Sequence, residues 1–245
     1  MTDEKLSYDE ALKNLTNEDV KIRKQAINSL EGIQDESAID TLITAATDEN
    51  TQVRFKAAEI LGTLGTAAVD KLIEQFQKEE GQNKRYIVYA LKQTKDKKVI
   101  PYLVEATTDE DPIVRKVAIR GLGELVANDN IDDIATGLED EDWGVRLAAV
   151  HALGDLEIEE GIKLIKKARR KEKDKDFKKS CNKSIKKAET NIAKIRFETL
   201  KKQGIIDTEI KELGKTAKQQ DKAVVKFMKD YTDYFVPGTI IFKEE

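Results

Sequence analysis

The chain has 245 residues, 37% charged and 39% hydrophobic, with 3 Pro, 13 Gly and a formal net charge of −4. So few turn-formers beside so much Lys, Glu, Ala, Leu and Ile predict an all-α protein, and no apolar run approaches the roughly 18 residues that a membrane span requires. A single Cys (Cys181) excludes an intrachain disulfide framework and a Cys-rich zinc site, and a single His (His151) excludes most histidine-rich metal enzymes.

Met1 to Asn14 carries acids and lacks the apolar segment of a signal peptide, so the expected location is cytoplasmic. Tyr8 to Leu15 reads as a lone helix covering the first of a series of repeats. From Asn17 onward one pattern returns: Asn17 to Leu30, Asp48 to Leu61, Asp109 to Leu122 and Asp140 to Leu153 align, and a weaker copy from Lys84 to Leu91 fills the gap. The marker leucines at 30, 61, 91, 122 and 153 are spaced 31, 30, 31 and 31 residues apart. A fixed period of this length belongs to stacked supersecondary units.

Each copy reads as two helices. The acidic cluster sits where a helix N-terminus favours negative charge and capping side chains, and Pro112 suits a first helical turn. Val53, Ala57, Ala58, Leu61 and Leu64 form one apolar stripe at helical spacing. Gly62, Gly123, Gly154 and Gly32 are expected to close the first helix of their copies. A second helix follows, as in Ala68, Val69, Leu72, Ile73 and Phe76. Neither helix buries its stripe alone, so the copies must stack into an α-solenoid. Arg23, Arg54, Arg115 and Arg146 recur at one position and predict a structural arginine ladder. In it each guanidinium would pair with acids or helix-end carbonyls of the neighbouring repeat.

The composition then changes. Residues 163–202 hold 17 Lys+Arg against 5 Asp+Glu, whereas residues 1–162 hold 19 against 34. Phe177, Cys181, Ile185, Ala188, Ile192 and Ile195 keep helical spacing there and predict a degenerate sixth repeat running into a long helix that Gly204 ends. Helices near 207–214 and 218–232 follow, then Pro237-Gly238 and a β-like end from Thr239 to Phe242. The expected organisation is a repeat array with its N-terminal capping helix over 1–172, and a degenerate repeat with a basic-to-amphipathic helical cap over 173–245. The apolar set Val224, Val225, Phe227, Met228, Tyr231, Tyr234 and Phe235 predicts that 205–242 fold back as that cap, with a homodimer surface as the alternative.

Val53, Arg54, Ala57, Ala58, Leu61 and Gly62 and their equivalents resemble, over roughly residues 8–170, the HEAT-like repeat of phycobilisome (PBS) lyases, whose consensus runs D-x-x-V-R-x-x-A-A-x-A-L-G. The third copy departs from it with Asn83-Lys84 for Val-Arg and Lys92 for Gly. The resemblance implies about five regular HEAT-like repeats plus one degenerate, and a concave surface lined by the variable positions of the first helices. Those positions include Lys24, Phe55, Lys56, Arg85, Tyr86, Tyr89, Lys116, Arg120, Trp143, Leu147 and His151. Their aromatics beside cations read as a partner-binding groove, or alternatively as packing between helices.

Enzymatic readings find no footing. The related deoxyhypusine hydroxylases place His-Glu iron ligands after the arginine, where this chain has Lys24-Gln25, Phe55-Lys56, Lys116-Val117 and Leu147-Ala148. HEAT-like alkylpurine DNA glycosylases combine Trp with a carboxylate, but the residue four after Trp143 is Leu147. No catalytic residue, cofactor or metal site is predicted. The expected function is a non-enzymatic scaffold that binds a protein or peptide, an acidic one included, on its concave face. Phe55, Tyr86, Tyr89 and Trp143 would be the anchors, and Lys24, Lys56, Arg85, Lys116 and Arg120 the steering charges. Nucleic-acid binding through the basic groove and the Lys-rich segment 163–202 is one alternative. A PBS-lyase-like role towards a bilin or other tetrapyrrole protein, which rests on the resemblance, is another.

Overall fold

A computed structural model describes residues 5–204, 222, 224–226, 235–236 and 239–240. Helix α1 (Tyr8–Asn14) opens with a capping box in which the Ser7 amide and hydroxyl both donate to Glu10, and it packs on α2 (Val20–Ser29). It therefore covers the open side of the first repeat.

Two layers of helices follow. The first helices of the repeats are α2, α4 (Thr51–Thr63), α6 (Gly81–Thr94), α8 (Pro112–Glu124) and α10 (Trp143–Asp155). The second helices are α3 (Glu36–Ala45), α5 (Thr66–Lys78), α7 (Ile100–Ala106) and α9 (Ile131–Thr136), and α11 (Glu159–Lys171) follows α10 in the chain. Within the first layer α2 packs on α4, α4 on α6 and α6 on α8, while α3 packs on α5 in the second. Asp19, Asp35, Asn50 and Asp111 cap their helices by accepting from the amides of the first turn, an arrangement worth about 1 kcal/mol each. Leu30, Leu61, Leu91, Leu122 and Leu153 are all fully buried. The period read from the sequence is thus the period of the core, an all-α solenoid of stacked helical pairs.

The glycines do different work from that expected. Gly62 and Gly123 are the next-to-last residues of α4 and α8, within the last turn rather than beyond it. A Cβ on Gly62 would fall 2.3 Å from the Gln93 Cβ, and one on Gly123 would fall 2.6 Å from the Ala152 Cα. These residues let successive first helices approach closely. The chain is turned by Gly65, whose φ of +59° starts α5, and, as expected for the first copy, by Gly32 with φ +83° after α2.

The fourth repeat is the least regular. After Val126, at φ +52°, its second helix is broken into a 3-10 turn over Asn128–Asn130, the short α9, and another 3-10 turn over Gly137–Glu139. Its polar start (Asn128, Asp129, Asn130) offers side chains that compete with helical hydrogen bonding.

The contacts divide the chain into residues 1–152 and 153–245, whereas the sequence set the boundary after 172. Leu153 and Gly154 lie with the second unit: a Cβ on Gly161 would fall 2.6 Å from the Leu153 carbonyl oxygen, and one on Gly154 3.0 Å from the Ser184 Cβ. In that unit α11 packs on α12 (Lys175–Lys202), whose Phe177, Cys181 and Ile185 are buried. Helix α12 closes at Gln203 and Gly204, the latter at φ +71°. Strands β1 (Phe235–Val236) and β2 (Thr239–Ile240) pair antiparallel across Pro237-Gly238. The helices expected near 207–214 and 218–232 and the expected cap over 205–242 fall almost entirely outside the described residues. Among the described residues no helix is long and apolar enough to cross a membrane.

Candidate partner-binding face

The arginines fix the loops that start the first helices. Arg23 Nη1 donates to the carbonyls of Asn17 (2.8 Å) and Glu18 (3.1 Å). Arg54 reaches those of Asp48 and Glu49, Arg115 those of Asp109 and Glu110, and Arg146 those of Asp140 and Glu141, all between 2.6 and 3.0 Å. The expectation assigned these carbonyls to the neighbouring repeat, but each belongs to the loop before the arginine's own helix. The neighbour supplies acids, the other partner expected: Asp48 pairs with Arg23 at 2.8 Å and Asp140 with Arg115 at 2.7 Å.

The third copy, which lacks the Val-Arg pair, still supplies a rung. Lys84 Nζ lies 2.9 Å from the Asp109 carboxylate and 4.8 Å from the Phe76 ring centroid. Beyond the loop carbonyls Arg54 makes contacts of another kind. It donates to Thr51 Oγ1 at 3.0 Å and stacks 4.9 Å from the Tyr86 ring centroid.

The variable positions of the first helices gather into two depressions. The first, about 630 Å³, is lined by Lys24, Asn28, Thr51, Gln52, Phe55, Lys56 and Tyr86. Phe55 is 48% exposed there, and its ring stacks 5.4 Å from that of Tyr89. Lys24 donates to the Gln52 amide oxygen at 2.9 Å and Lys56 pairs with Glu59 at 2.9 Å.

The second depression, about 290 Å³, is lined by Tyr89, Lys92, Lys116, Val117, Arg120, Gly144, Leu147, Ala148 and His151. Burial raises the Tyr89 phenol above its ordinary range, with the Glu59 charge adding to the effect. Glu124 serves two cations, Lys92 at 3.1 Å and Arg120 at 3.4 Å.

Most of the expected site residues therefore line one depression or the other. Two do not. Arg85 is tied to the carboxylate of Asp111, which also caps α8, and it lines neither depression. Trp143 lies outside both linings while remaining 43% exposed. Lys92 was passed over in the sequence as a departure from the repeat glycine, yet its length carries it into the second depression.

Among the described residues no group of His, Cys, Asp and Glu is arranged to hold a metal. Cys181 is buried, and desolvation pushes its thiol up to about 11, so it is no nucleophile as folded. In the second unit, Lys175, Lys179, Lys183 and Lys186 are mostly exposed on α12 at helical spacing, while Lys166 and Lys187 pair with Glu189 and Asp155 at 2.8 Å.

A family model described as HEAT repeats matches residues 8–92, 69–132 and 100–186. No curated protein matches the chain. Among solved structures, the complex of CpcE and CpcF of phycocyanin lyase from Nostoc sp. PCC7120 is similar at 23% identity and a TM-score of 0.58, covering 61% of this chain and 99% of that one. A structure from work on microtubule plus end tracking by XMAP215, CLIP-170 and EB1 is similar at 17% identity and a TM-score of 0.50, covering 73% of this chain and 90% of that one. At these identities the likeness shows the shared fold.

Proposed function

The chain belongs to the HEAT-repeat family, and from that premise we propose that it is a non-enzymatic scaffold holding a protein or peptide partner on the face of its first helices. The observation that carries this reading is the exposure of large apolar side chains on helices that otherwise bury theirs. Phe55, Ile113 and Trp143 are 48%, 38% and 43% exposed, and Phe55 sits beside Tyr86 and Lys56 in the first depression. Exposed aromatics next to cations carry a large share of interface energies. The similar structure from Nostoc is itself a complex of CpcE and CpcF, which supports a protein as partner.

Trp143→Ala combined with Tyr86→Ala tests this. Loss of about 2 kcal/mol at a hot spot lowers affinity roughly thirtyfold. A quantitative pull-down with the double variant should lose the partners that the unaltered chain retains, with the helical circular dichroism unchanged. Equal recovery by both proteins sinks the reading.

A second reading is favoured by α12, where Lys175, Lys179, Lys183 and Lys186 run along one mostly exposed face and make no ion pair among the described residues. Such a stripe can track phosphates, as nucleic-acid binding requires. Binding of RNA or duplex DNA through it should fall by orders of magnitude between about 50 and 200 mM salt if six or more phosphates are engaged. No gel shift at low salt removes it. A lyase-like role towards a tetrapyrrole protein draws on the likeness to phycocyanin lyase alone, and absorbance titration with a bilin tests it.

A further inference from the structure

The second depression differs from the first in its charge balance. Lys92, Lys116 and Arg120 line it, and among the described residues Glu124 is the one carboxylate paired with any of them, shared between Lys92 and Arg120. Lys116 forms no ion pair among the described residues. It stands one helical turn before Arg120 on α8, so both heads face the same side. Its stem passes over Gly144 of α10: a Cβ placed there would lie 3.6 Å from Lys116 Cδ. That is ordinary van der Waals contact, and the same Cβ would lie 3.0 Å from the Asp142 Oδ1, so one acid stands at the rim. Beneath the cations lie Val117, Leu147 and Ala148, an apolar floor. The excess of positive charge belongs to this spot and not to the unit around it, because residues 1–152 carry 19 cations against 30 acids.

We propose that this depression is an anion subsite that takes the clustered oxygens of a carboxylate or phosphoryl group carried on a peptide. Lys116 and Arg120 hold the anion, and the neighbouring apolar side chain of the peptide rests on Val117 and Leu147. The proposal rests on the scaffold reading above and gives it a specificity. The first depression, with Phe55 and Tyr86, takes an apolar side chain, and the Phe55–Tyr89 stack separates the two. The preferred partner is then a segment with an aromatic residue beside an acidic one. Cations grouped around one hollow steer an acidic segment towards it and set its register.

The test titrates the 15N-labelled full chain with acetyl-EEFEE-amide, its neutral counterpart acetyl-QQFQQ-amide, phosphorylated acetyl-QQFSQ-amide and inorganic phosphate, following amide shifts. The acidic peptide should move amides of 116–120 and 144–148, and the neutral one should leave them in place. Lys116→Glu with Arg120→Glu should weaken binding at least tenfold, and Lys116→Gln with Arg120→Gln should do so to a smaller degree if charge is what acts. Whichever of the carboxylate and phosphoryl peptides binds more tightly identifies the source of the anion.

Shifts confined to the first depression, equal binding of the neutral peptide, or inorganic phosphate binding as tightly as either peptide would each overturn the proposal. The scaffold reading is judged separately, by the Trp143 and Tyr86 variant, neither of whose residues lines this depression.

Discussion

Asp140 accepts the Arg115 guanidinium on both oxygens, Nε at 2.7 Å and Nη2 at 2.8 Å, while its own carbonyl receives Arg146 at 2.9 Å. One residue thus ties the fourth repeat to the fifth and holds the loop that starts α10. Removing one member of a largely buried pair leaves the other charge desolvated. Asp140→Ala should therefore cost about 2 kcal/mol, less than a fully dry pair because a ninth of each side chain stays exposed. Urea unfolding followed by circular dichroism measures it. A midpoint within error of the parent would show that the ladder is ornamental.

The same pair sets an acid limit. The Arg115 fork, aided by the Asp142 amide and opposed by burial, holds the Asp140 carboxyl below the usual range. A carboxyl depressed on folding adds stability that is complete above its unfolded value, about 3.9, and is lost as pH falls through the folded value. Asp140→Asn should accordingly be less stable than the parent at pH 7, and the gap should shrink steadily below about pH 4. A gap that stays constant from pH 7 to pH 2.5 would contradict this linkage.

Substitution at Gly123 inverts the ordinary rule of helix propensity. Alanine in place of glycine inside a helix normally gains up to about 1 kcal/mol. Here the added Cβ meets the Cα and backbone carbon of Ala152 at 2.6 and 3.2 Å, and backbone cannot rotate away. Overpacking of this kind costs about 1–3 kcal/mol, so Gly123→Ala should lower the melting temperature, whereas at an exposed helix glycine the same change raises it. An unchanged or higher melting temperature would mean that α8 and α10 separate at little cost.

These glycines show where the sequence was legible and where it was not. The leucine period and the arginine position were readable because each copy repeats the same burial and the same loop contact. The role of Gly62 and Gly123 was hidden, since a glycine that ends a helix and one that admits a neighbour look alike one residue after a leucine. Lys84 was hidden too. Its copy lost the valine and the arginine together, yet a lysine reaches Asp109 as a point charge without the two carbonyl bonds of the fork. At the candidate site, Phe55, Tyr86, Lys116 and Leu147 were readable from their place in the repeat. Arg85 was misplaced because its carboxylate partner, Asp111, lies 26 residues away and is met only in space.

Cys181 gives a test of the packing of α12. Its thiol is fully buried, and its ionisation is pushed up to about 11, chiefly by desolvation. A thiol reagent such as 5,5′-dithiobis(2-nitrobenzoate) reacts with the thiolate, so at pH 8 labelling should wait on opening of the α11–α12 pair. The native chain should react orders of magnitude more slowly than the urea-unfolded one. Immediate labelling at native conditions would show that α12 does not pack as described.

The last expectation concerns the far half of α12. Its early buried residues, Phe177, Cys181, Ile185 and Ala188, face α11, but its later ones, Ala193, Phe197 and Leu200, point roughly 140° away at 100° per residue. Phe197 is fully buried and Leu200 is 3% exposed. A helix whose buried face changes along its length meets a different surface there, and the expected cap is the candidate for it. Val224, itself 1% exposed, belongs to the stretch that the sequence reading assigned to a cap. Ending the chain at Gln203 should then bare Phe197 and Leu200, and fully exposing side chains of this size costs about 1.5–3 kcal/mol each. The shortened protein should melt lower, bind 8-anilinonaphthalene-1-sulfonate and associate as concentration rises. Phe197→Ser in the full-length chain should lower the melting temperature in the same direction. A truncated chain that stays monomeric and melts like the parent would show that the second face of α12 is covered from within residues 1–203.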